Sequence, residues 1–198
     1  MSKNNIEQKG FTLIELLVVI AIIAVLAVVV ILTLNPAQLL AQARDSSRIS
    51  DMATIKSAIS LLLADAAAPA GNAIGASSTC YGSAVLTPGG AGCGGRMTAT
   101  LGTVTTTAAL ATGIAGGGWM PINFGSISAG SPIGAEPVDP SNNATYFYSY
   151  ATNAAPNYQF EINANMESTK YTSGSSDIES TDGGNNATIY ETGTKLDL

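Results

Sequence analysis

One acidic side chain lies inside the main apolar segment of the chain. Glu15 is the only charged residue between Phe11 and Leu34, and Lys9 and Gly10 come directly before that segment. An acidic residue near the centre of a membrane-spanning helix costs about 2.5–3.5 kcal/mol, so a segment used only for anchoring would do better with leucine. We infer that the Glu15 carboxylate has a partner.

Few other residues could do chemistry. The chain has no histidine, which removes the usual general base and the commonest transition-metal ligand. Its acidic residues are scattered, it lacks the Gly-x-Ser-x-Gly pattern, and its glycine-rich runs lack the strand and helix that flank a phosphate-binding loop. We therefore expect no enzyme activity. Eight scattered Lys and Arg residues and a net charge of −6 also argue against nucleic-acid binding.

The two cysteines, Cys80 and Cys93, lie close together in a Gly- and Ser-rich stretch. An even count in an exported chain indicates one disulfide bond, and closing a loop of this size stabilises a fold by about 3 kcal/mol. The alternative is two free thiols in a reducing cytosol. A zinc site would need more ligands than these two residues supply.

Three interpretations compete for residues 1–34. A secretory signal peptide has a shorter apolar stretch of 7–15 residues followed by a cleavage site, whereas the stretch here has about 24 residues, which as a helix span about 36 Å. A plain membrane anchor fits that length but leaves Glu15 unexplained. The third interpretation rests on the order of residues around the glutamate.

Residues 9–24 have the sequence KGFTLIELLVVIAIIA. This segment resembles the class III signal of type IV prepilins and pseudopilins. In both, a short polar leader ends in a glycine, a phenylalanine follows, and a glutamate stands four residues further on at the head of an apolar run. The resemblance implies that a membrane prepilin peptidase cuts between Gly10 and Phe11, that Phe11 becomes the N-methylated terminus, and that Glu15 acts in assembly.

Charge supports the assembly role of Glu15. Cleavage would place a cationic amine on Phe11, and a neighbouring subunit staggered along a filament could bring that amine to Glu15. Two unit charges about 4 Å apart attract by roughly 4 kcal/mol at an effective dielectric constant near 20. This gain is similar to the insertion cost, so pairing offsets burial of the acid, whereas an unpaired subunit would keep the penalty.

Asn35 and Pro36 interrupt the apolar pattern. Proline lacks a backbone donor and clashes with the preceding turn, so a helix break or kink is expected at Pro36. We favour one kinked, continuous helix. The alternative is that Asn35 caps a new helix with Pro36 at its first position.

Beyond the break, apolar residues return at helical steps of three and four, at Met52, Ile55, Ile59 and Leu62. This stripe predicts an amphipathic helix that packs on a globular head. Charged residues occupy the first part of the same helix: Arg44, Asp45, Arg48, Asp51 and Lys56. Pairs three residues apart can interact on the helix surface. A solvated face and a contact between subunits are both open interpretations of these charges.

The remaining chain predicts a small head. Residues 68–135 are expected to form a long irregular connection, with a short helix over residues 104–111 and with residues 119–122 packed on the core. Residues 145–150 are aromatic and residues 158–164 alternate apolar and polar, as a half-buried strand does, so the two predict an antiparallel hairpin. Residues 187–191 are a candidate third strand.

Some acidic residues are candidates for a calcium site. Asp177, Glu179 and Asp182 lie in a Gly/Ser-rich loop, but their spacing departs from the EF-hand pattern, so a solvated loop is the alternative. Residues 136–140, EPVDP, resemble the Pro-x-Asp-Pro segment before the sheet of many pseudopilins and small pilins. There Asp139 either accepts backbone N–H groups of the next loop or, as the resemblance implies, binds calcium. We expect no other cofactor and no other metal.

These expectations define an α+β, type IV pilin-like lollipop, with a long N-terminal helix against a small antiparallel sheet. Its parts are a leader (1–10), a transmembrane and filament-core half-helix (11–34), an amphipathic half-helix (35–67) and a head (68–198). The resemblance implies a bacterial pilus subunit, held first in the cytoplasmic membrane and then displayed at the cell surface. Its partners would be other pilin subunits, prepilin peptidase and the inner-membrane assembly platform. A pseudopilin of a type II secretion or DNA-uptake system, and a non-polymerising membrane-anchored binding domain, are the alternatives.

Overall fold

The computed structural model describes residues 10–65, 74–77, 79–84, 91–97, 101–105, 112–153, 158–174 and 176–198. The chain divides into two compact units, Met1–Leu40 and Ala41–Leu198. The first contains the apolar helix and the second contains the head.

Helix α1 spans Leu13–Leu34, and none of its residues is buried. It is apolar on all sides, as a helix surrounded by lipid or by other apolar helices must be. Judged by length and composition, the helical stretch Leu13–Ala64 contains a segment apolar enough to cross a membrane. The 22 residues of α1 correspond to about 33 Å, close to the thickness of a bilayer's hydrocarbon core.

Asn35 separates α1 from helix α2, Pro36–Ala64. Its backbone is left-handed, with φ 40° and ψ 76°, and its side-chain oxygen accepts the backbone N–H of Gln38 at 3.4 Å. Pro36 therefore occupies the first position of a new helix, where a missing N–H costs nothing. Of the two alternatives for this junction, the structure shows the capped new helix and not the kinked continuous one.

In the described part of the chain, five short strands form one sheet in the order β2-β1-β3-β4-β5. They are β1 (Thr79–Gly82), β2 (Gly102–Thr105), β3 (Tyr148–Asn153), β4 (Gln159–Ala164) and β5 (Tyr190–Gly193). Strands β1, β3, β4 and β5 pair antiparallel, whereas β2 pairs parallel with β1 at the edge. The α+β prediction and the predicted hairpin, β3–β4, are confirmed, and the hairpin's turn at residues 154–157 lies outside the described residues.

The prediction of a helix over residues 104–111 is wrong at its first residues. Val104 lies in β2, opposite Tyr81 of β1, and the run of β-branched residues 103–105 has a composition that favours strands. Residues 106–111 lie outside the described part of the chain.

Two strands begin later than expected. In each case an asparagine side chain accepts hydrogen bonds from the backbone amides that would otherwise begin the strand. The Asn143 side-chain oxygen accepts the N–H groups of Thr145 and Tyr146, both at 2.9 Å, so β3 begins at Tyr148. The Asn186 oxygen likewise accepts the Thr188 N–H at 3.2 Å, and β5 begins at Tyr190. Such local turns compete directly with the ladder for backbone donors.

Side chains cover both faces of the sheet. On one face, the apolar stripe of α2 packs with strand residues and with the segment around Trp119. The packing of the stripe on the head and of residues 119–122 on the core was predicted. This cluster includes Met52, Ile55, Ile59, Leu62, Trp119, Ile122, Tyr148, Tyr150, Phe160 and Ile162. A second cluster includes Cys80, Cys93, Met97, Phe147, Ala151 and Leu198. The polar face expected for β4 is therefore not solvated: Glu161 is 1% exposed and Asn163 is fully buried.

The predicted disulfide is confirmed. Cys80 of β1 and Cys93 are bonded, with their Cα atoms 5.8 Å apart. Cys93 lies in a left-handed turn, with φ 54°, that brings residues 91–97 over the second face of the sheet.

Candidate functional site

Thr12 and Glu15 form a capping box at the start of α1. The Glu15 Oε2 atom accepts the Thr12 backbone N–H at 2.8 Å and the Thr12 hydroxyl at 2.7 Å. The Thr12 hydroxyl oxygen in turn accepts the Glu15 N–H at 3.3 Å. This exchange satisfies donors that the first turn of a helix leaves free, and the carboxylate also favours the positive end of the helix dipole. The glutamate is thus held by its own helix before any partner arrives.

The residues next to this box are open to solvent. Phe11 is 86% exposed, and a Cβ added at Gly10 would meet nothing within 4 Å. The described structure gives Gly10 no steric reason to be glycine.

A buried cluster of charges ties α2 to the head. Arg48 is fully buried, and its guanidinium donates to both oxygens of Asp139, at 2.7 and 2.9 Å, and to Asp45 at 2.8 Å. It also pairs with Glu167, which Arg44 contacts as well. The fork of an arginine suits several carboxylates at once.

For Asp45 and Arg48 this cluster rules out both interpretations of the α2 charges. Asp45 and Arg48 do pair three residues apart, as predicted, but neither is solvated and neither is open to another subunit, because both are fully buried. Asp51 does not pair with Arg48; its Oδ2 atom accepts the Tyr148 hydroxyl at 2.7 Å. Burial raises the pKa of Glu167, but hydrogen bonds from Arg44 and Arg48 outweigh it and lower that pKa to about 2.

The calcium candidates serve local structure. Asp139 pairs with Arg48 and accepts the Ser141 N–H at 2.8 Å, which agrees with the loop-bracing role predicted for it. Asp177 accepts the Glu179 N–H at 3.0 Å and Asp182 accepts the Gly184 N–H at 2.9 Å, each closing a turn.

Glu179 itself faces inward. Its Oε1 atom accepts the Met166 N–H at 2.8 Å, and burial raises its pKa to about 7. Within the described ranges, no group of three or more His, Cys, Asp or Glu residues is placed to hold a metal ion.

Sequence reasoning missed three buried glutamates of the head: Glu136, Glu161 and Glu191. Glu136 accepts the Met120 N–H at 2.9 Å, and its carboxylate fills the space that a Cβ on Gly118 would need, at 2.1 Å. Burial raises the pKa of Glu136 to about 8. The alternation of apolar and polar residues in β4 placed Glu161 on the polar face of the strand, but it predicted that this face is in water, whereas Glu161 is buried.

Comparison with known proteins agrees with the N-terminal geometry. Residues 7–31 match the family model described as the prokaryotic N-terminal methylation motif. No curated protein matches the chain, and no solved structure matches it. The motif is the signature of type IV pilins and pseudopilins, so the recognition made from residues 9–24 is confirmed. The match is confined to this N-terminal segment, where it indicates the processing signal of a type IV pilin-like precursor.

Proposed function

We propose that this protein is a structural subunit of a bacterial type IV pilus. It is cut after Gly10, N-methylated on Phe11 and polymerised through α1, with its head at the filament surface. The observation that carries the proposal is the combination of a wholly exposed apolar helix with one carboxylate held at its N-terminal end. A helix of this kind needs an apolar environment on every side, which a bilayer supplies first and neighbouring α1 helices supply afterwards.

The capping box refines how Glu15 would act. In the free subunit Thr12 donates two hydrogen bonds to one oxygen of the carboxylate, Oε2. In a filament the N-terminal amine on Phe11 of a neighbouring subunit would pair with this carboxylate, which the cap already holds at the end of the helix.

Two variants test the role of Glu15 in cells that assemble the filament. Glu15→Ala should still be inserted and processed, giving N-methyl-Phe11 by mass spectrometry, yet filaments should fall at least tenfold in electron micrographs. Thr12→Val is the matched control, because it removes the hydroxyl of the cap but keeps the carboxylate. Its filaments should persist.

Abundant filaments from Glu15→Ala cells would overturn the assembly role. An unprocessed N-terminus in the wild-type chain would favour the non-polymerising anchor. Processing without long surface filaments made mainly of this chain would favour a pseudopilin of a type II secretion or DNA-uptake system.

A further inference from the structure

Helix α1 begins just after the proposed cleavage site. Thr12 is its N-cap and has an extended backbone, with φ −81° and ψ 151°. The Leu16 N–H donates to the Thr12 carbonyl at 3.3 Å, which closes the first turn. Gly10 and Phe11 precede this turn and are exposed. The peptide bond between them therefore lies outside the helix.

The Thr12 hydroxyl competes with a backbone carbonyl for one donor. If α1 started two residues earlier, the Glu15 N–H would donate to the Phe11 carbonyl and the Ile14 N–H to the Gly10 carbonyl. In the structure the Thr12 hydroxyl oxygen accepts the Glu15 N–H instead, at 3.3 Å. Among the described residues of this turn, neither of those two carbonyls accepts a backbone N–H. The cap thus leaves both carbonyls free.

The position of Glu15 selects Thr12 as the start of the helix. A capping box needs Ser or Thr at the N-cap and Glu or Gln three residues later, and both halves of the exchange are present between Thr12 and Glu15. A helix capped by Gly10 would have Leu13 at the third position instead, and leucine cannot accept the N–H of the cap residue. The box therefore fixes the distance between the helix and the cleavage site.

In a membrane, loss of this cap favours a longer helix and not a frayed one. Backbone N–H groups in lipid must find partners within the chain. Without the Thr12 hydroxyl, the Phe11 carbonyl is the acceptor that a continued helix offers to the Glu15 N–H. Glycine is a tolerated N-cap, so Gly10 supplies an alternative start. Extension to Gly10 would draw the cleavage site into the first turn.

Hydrolysis of a peptide bond requires an accessible carbonyl group. Water adds its oxygen to the Gly10 carbonyl carbon, the bond to the Phe11 nitrogen breaks, and a proton passes to that nitrogen, giving a carboxylate and an amine. The peptidase must also place hydrogen-bond donors on the carbonyl oxygen to stabilise the tetrahedral intermediate. A Gly10 carbonyl that accepts the Ile14 N–H in a helix is already engaged, so the helical form is a poor substrate.

We propose that Thr12 and Glu15 are positioning residues for cleavage. By starting α1 at Leu13, they keep the bond between Gly10 and Phe11 in an extended and accessible segment. This inference rests on the proposed function, in which a prepilin peptidase cuts that bond. It gives Glu15 a role before assembly, and the role depends on an acceptor atom and not on charge, because glutamine also completes a capping box.

Cleavage of the full chain by prepilin peptidase in nonionic detergent tests the inference. The KM for Thr12→Val should rise about fivefold with kcat little changed, because only the fraction of substrate with a free bond can bind. Thr12→Ser keeps the hydroxyl and should restore the wild-type KM. Glu15→Gln removes the charge but keeps the acceptor, so it should be cleaved as wild type. Long incubation should bring Thr12→Val to completion, which is why its filaments persist.

NMR spectroscopy of the same samples gives a second readout. The carbon chemical shifts of Gly10 and Phe11 should be those of extended backbone in wild type, Thr12→Ser and Glu15→Gln. In Thr12→Val they should move toward helical values. This measurement separates a shifted helix start from a direct contact between the peptidase and the Thr12 side chain.

Several results would overturn the inference. Thr12→Val could keep the wild-type KM, Thr12→Ser could be cleaved as poorly as Thr12→Val, or Glu15→Gln could be cleaved poorly, which would assign its effect to charge. A raised KM for Thr12→Val with Gly10 and Phe11 still extended would show that the peptidase contacts Thr12 directly. If wild type is cleaved but Thr12→Val is unaffected, only this inference fails. A wild-type chain that is not cleaved after Gly10 would refute the proposed function and, with it, this inference.

Discussion

Replacing Arg48 with methionine tests how the charge cluster stabilises the head. The substitution removes two hydrogen bonds to Asp139 and one to Asp45, all in a region without solvent access, together with the ion pair to Glu167. Removing one partner of a buried ion pair costs about 3–5 kcal/mol, because the remaining charge stays buried and unpaired.

The structure sets the expected loss at the lower end of that range. Asp139 keeps the N–H groups of Ser141 and Asn142, at 2.8 and 3.3 Å. Asp45 keeps two backbone donors, from Glu167 and Ser168, and the Ser168 hydroxyl. We therefore expect Arg48→Met to lower the free energy of unfolding by about 3 kcal/mol.

Arg44→Met is the matched control. Arg44 contacts the same cluster through Glu167, but its side chain is 38% exposed, and exposed ion pairs contribute at most about 1 kcal/mol. Urea unfolding of the full chain in nonionic detergent, followed by fluorescence, measures both. Trp119 is the only tryptophan and is 1% exposed, so its emission reports loss of the core.

A second substitution separates the charge effect from packing. Adding Asp139→Asn to Arg48→Met removes the stranded carboxylate, so the double variant should recover at least 1 kcal/mol relative to additivity. If Arg48→Met unfolds within 1 kcal/mol of wild type, or as little as Arg44→Met, the reasoning from burial is refuted.

Two further predictions concern the disulfide and pH. Replacing both Cys80 and Cys93 with serine should lower the free energy of unfolding by about 3 kcal/mol, measured by the same urea titration with and without reductant. Stability should also fall as the pH rises from 5 to 8: Glu136 keeps its proton in the folded state up to its pKa of about 8, whereas the unfolded chain loses it near its ordinary pKa. The slope contributed by this group is at most about 1.4 kcal/mol per pH unit, and Glu136→Gln should make the measured slope shallower.

The sign of the pH effect follows from proton binding. Between the unfolded and folded pKa values of Glu136 the folded state binds more protons, so raising the pH favours unfolding. A slope that is unchanged in Glu136→Gln would show that this carboxyl group is ionised in the folded protein. The expected contribution of the disulfide to the free energy of unfolding would be contradicted if the serine variant and the fully oxidised wild type unfolded at the same urea concentration.

Periodicity and local motifs predicted part of this fold, but not strands β1 and β2, which lie in the stretch 68–135 that was expected to be irregular. The α2 stripe, the hairpin and the apolar N-terminal helix are patterns that repeat along the chain, and each was found where it was expected. The strands begin later than predicted because the Asn143 and Asn186 side chains accept hydrogen bonds from nearby backbone amides. Strand propensity does not tell whether such an amide bonds to the asparagine or to a neighbouring strand.

Burial of polar groups could not be predicted in the same way. Arg48 is surrounded by carboxylates 91 and 119 residues away in sequence, and a charge pattern on a helix looks the same whether such partners exist or not. The polar face of β4 was expected in water because nothing near it in sequence covers it. Its cover comes from the disulfide-linked turn and from Leu198, which only the folded chain brings together.

The attachment of α2 to the head also has a mechanical consequence. Its contacts run from Asp45, through the apolar stripe, to Asp65, which accepts the Ser128 N–H. At 1.5 Å per residue this line of contacts is about 30 Å long and parallel to the helix axis. A pull along the axis would load all of them in shear at once, whereas a pull across it would break them in turn. If the proposed filament pulls on α2 along its axis, the head is thus fastened in the direction of greatest resistance.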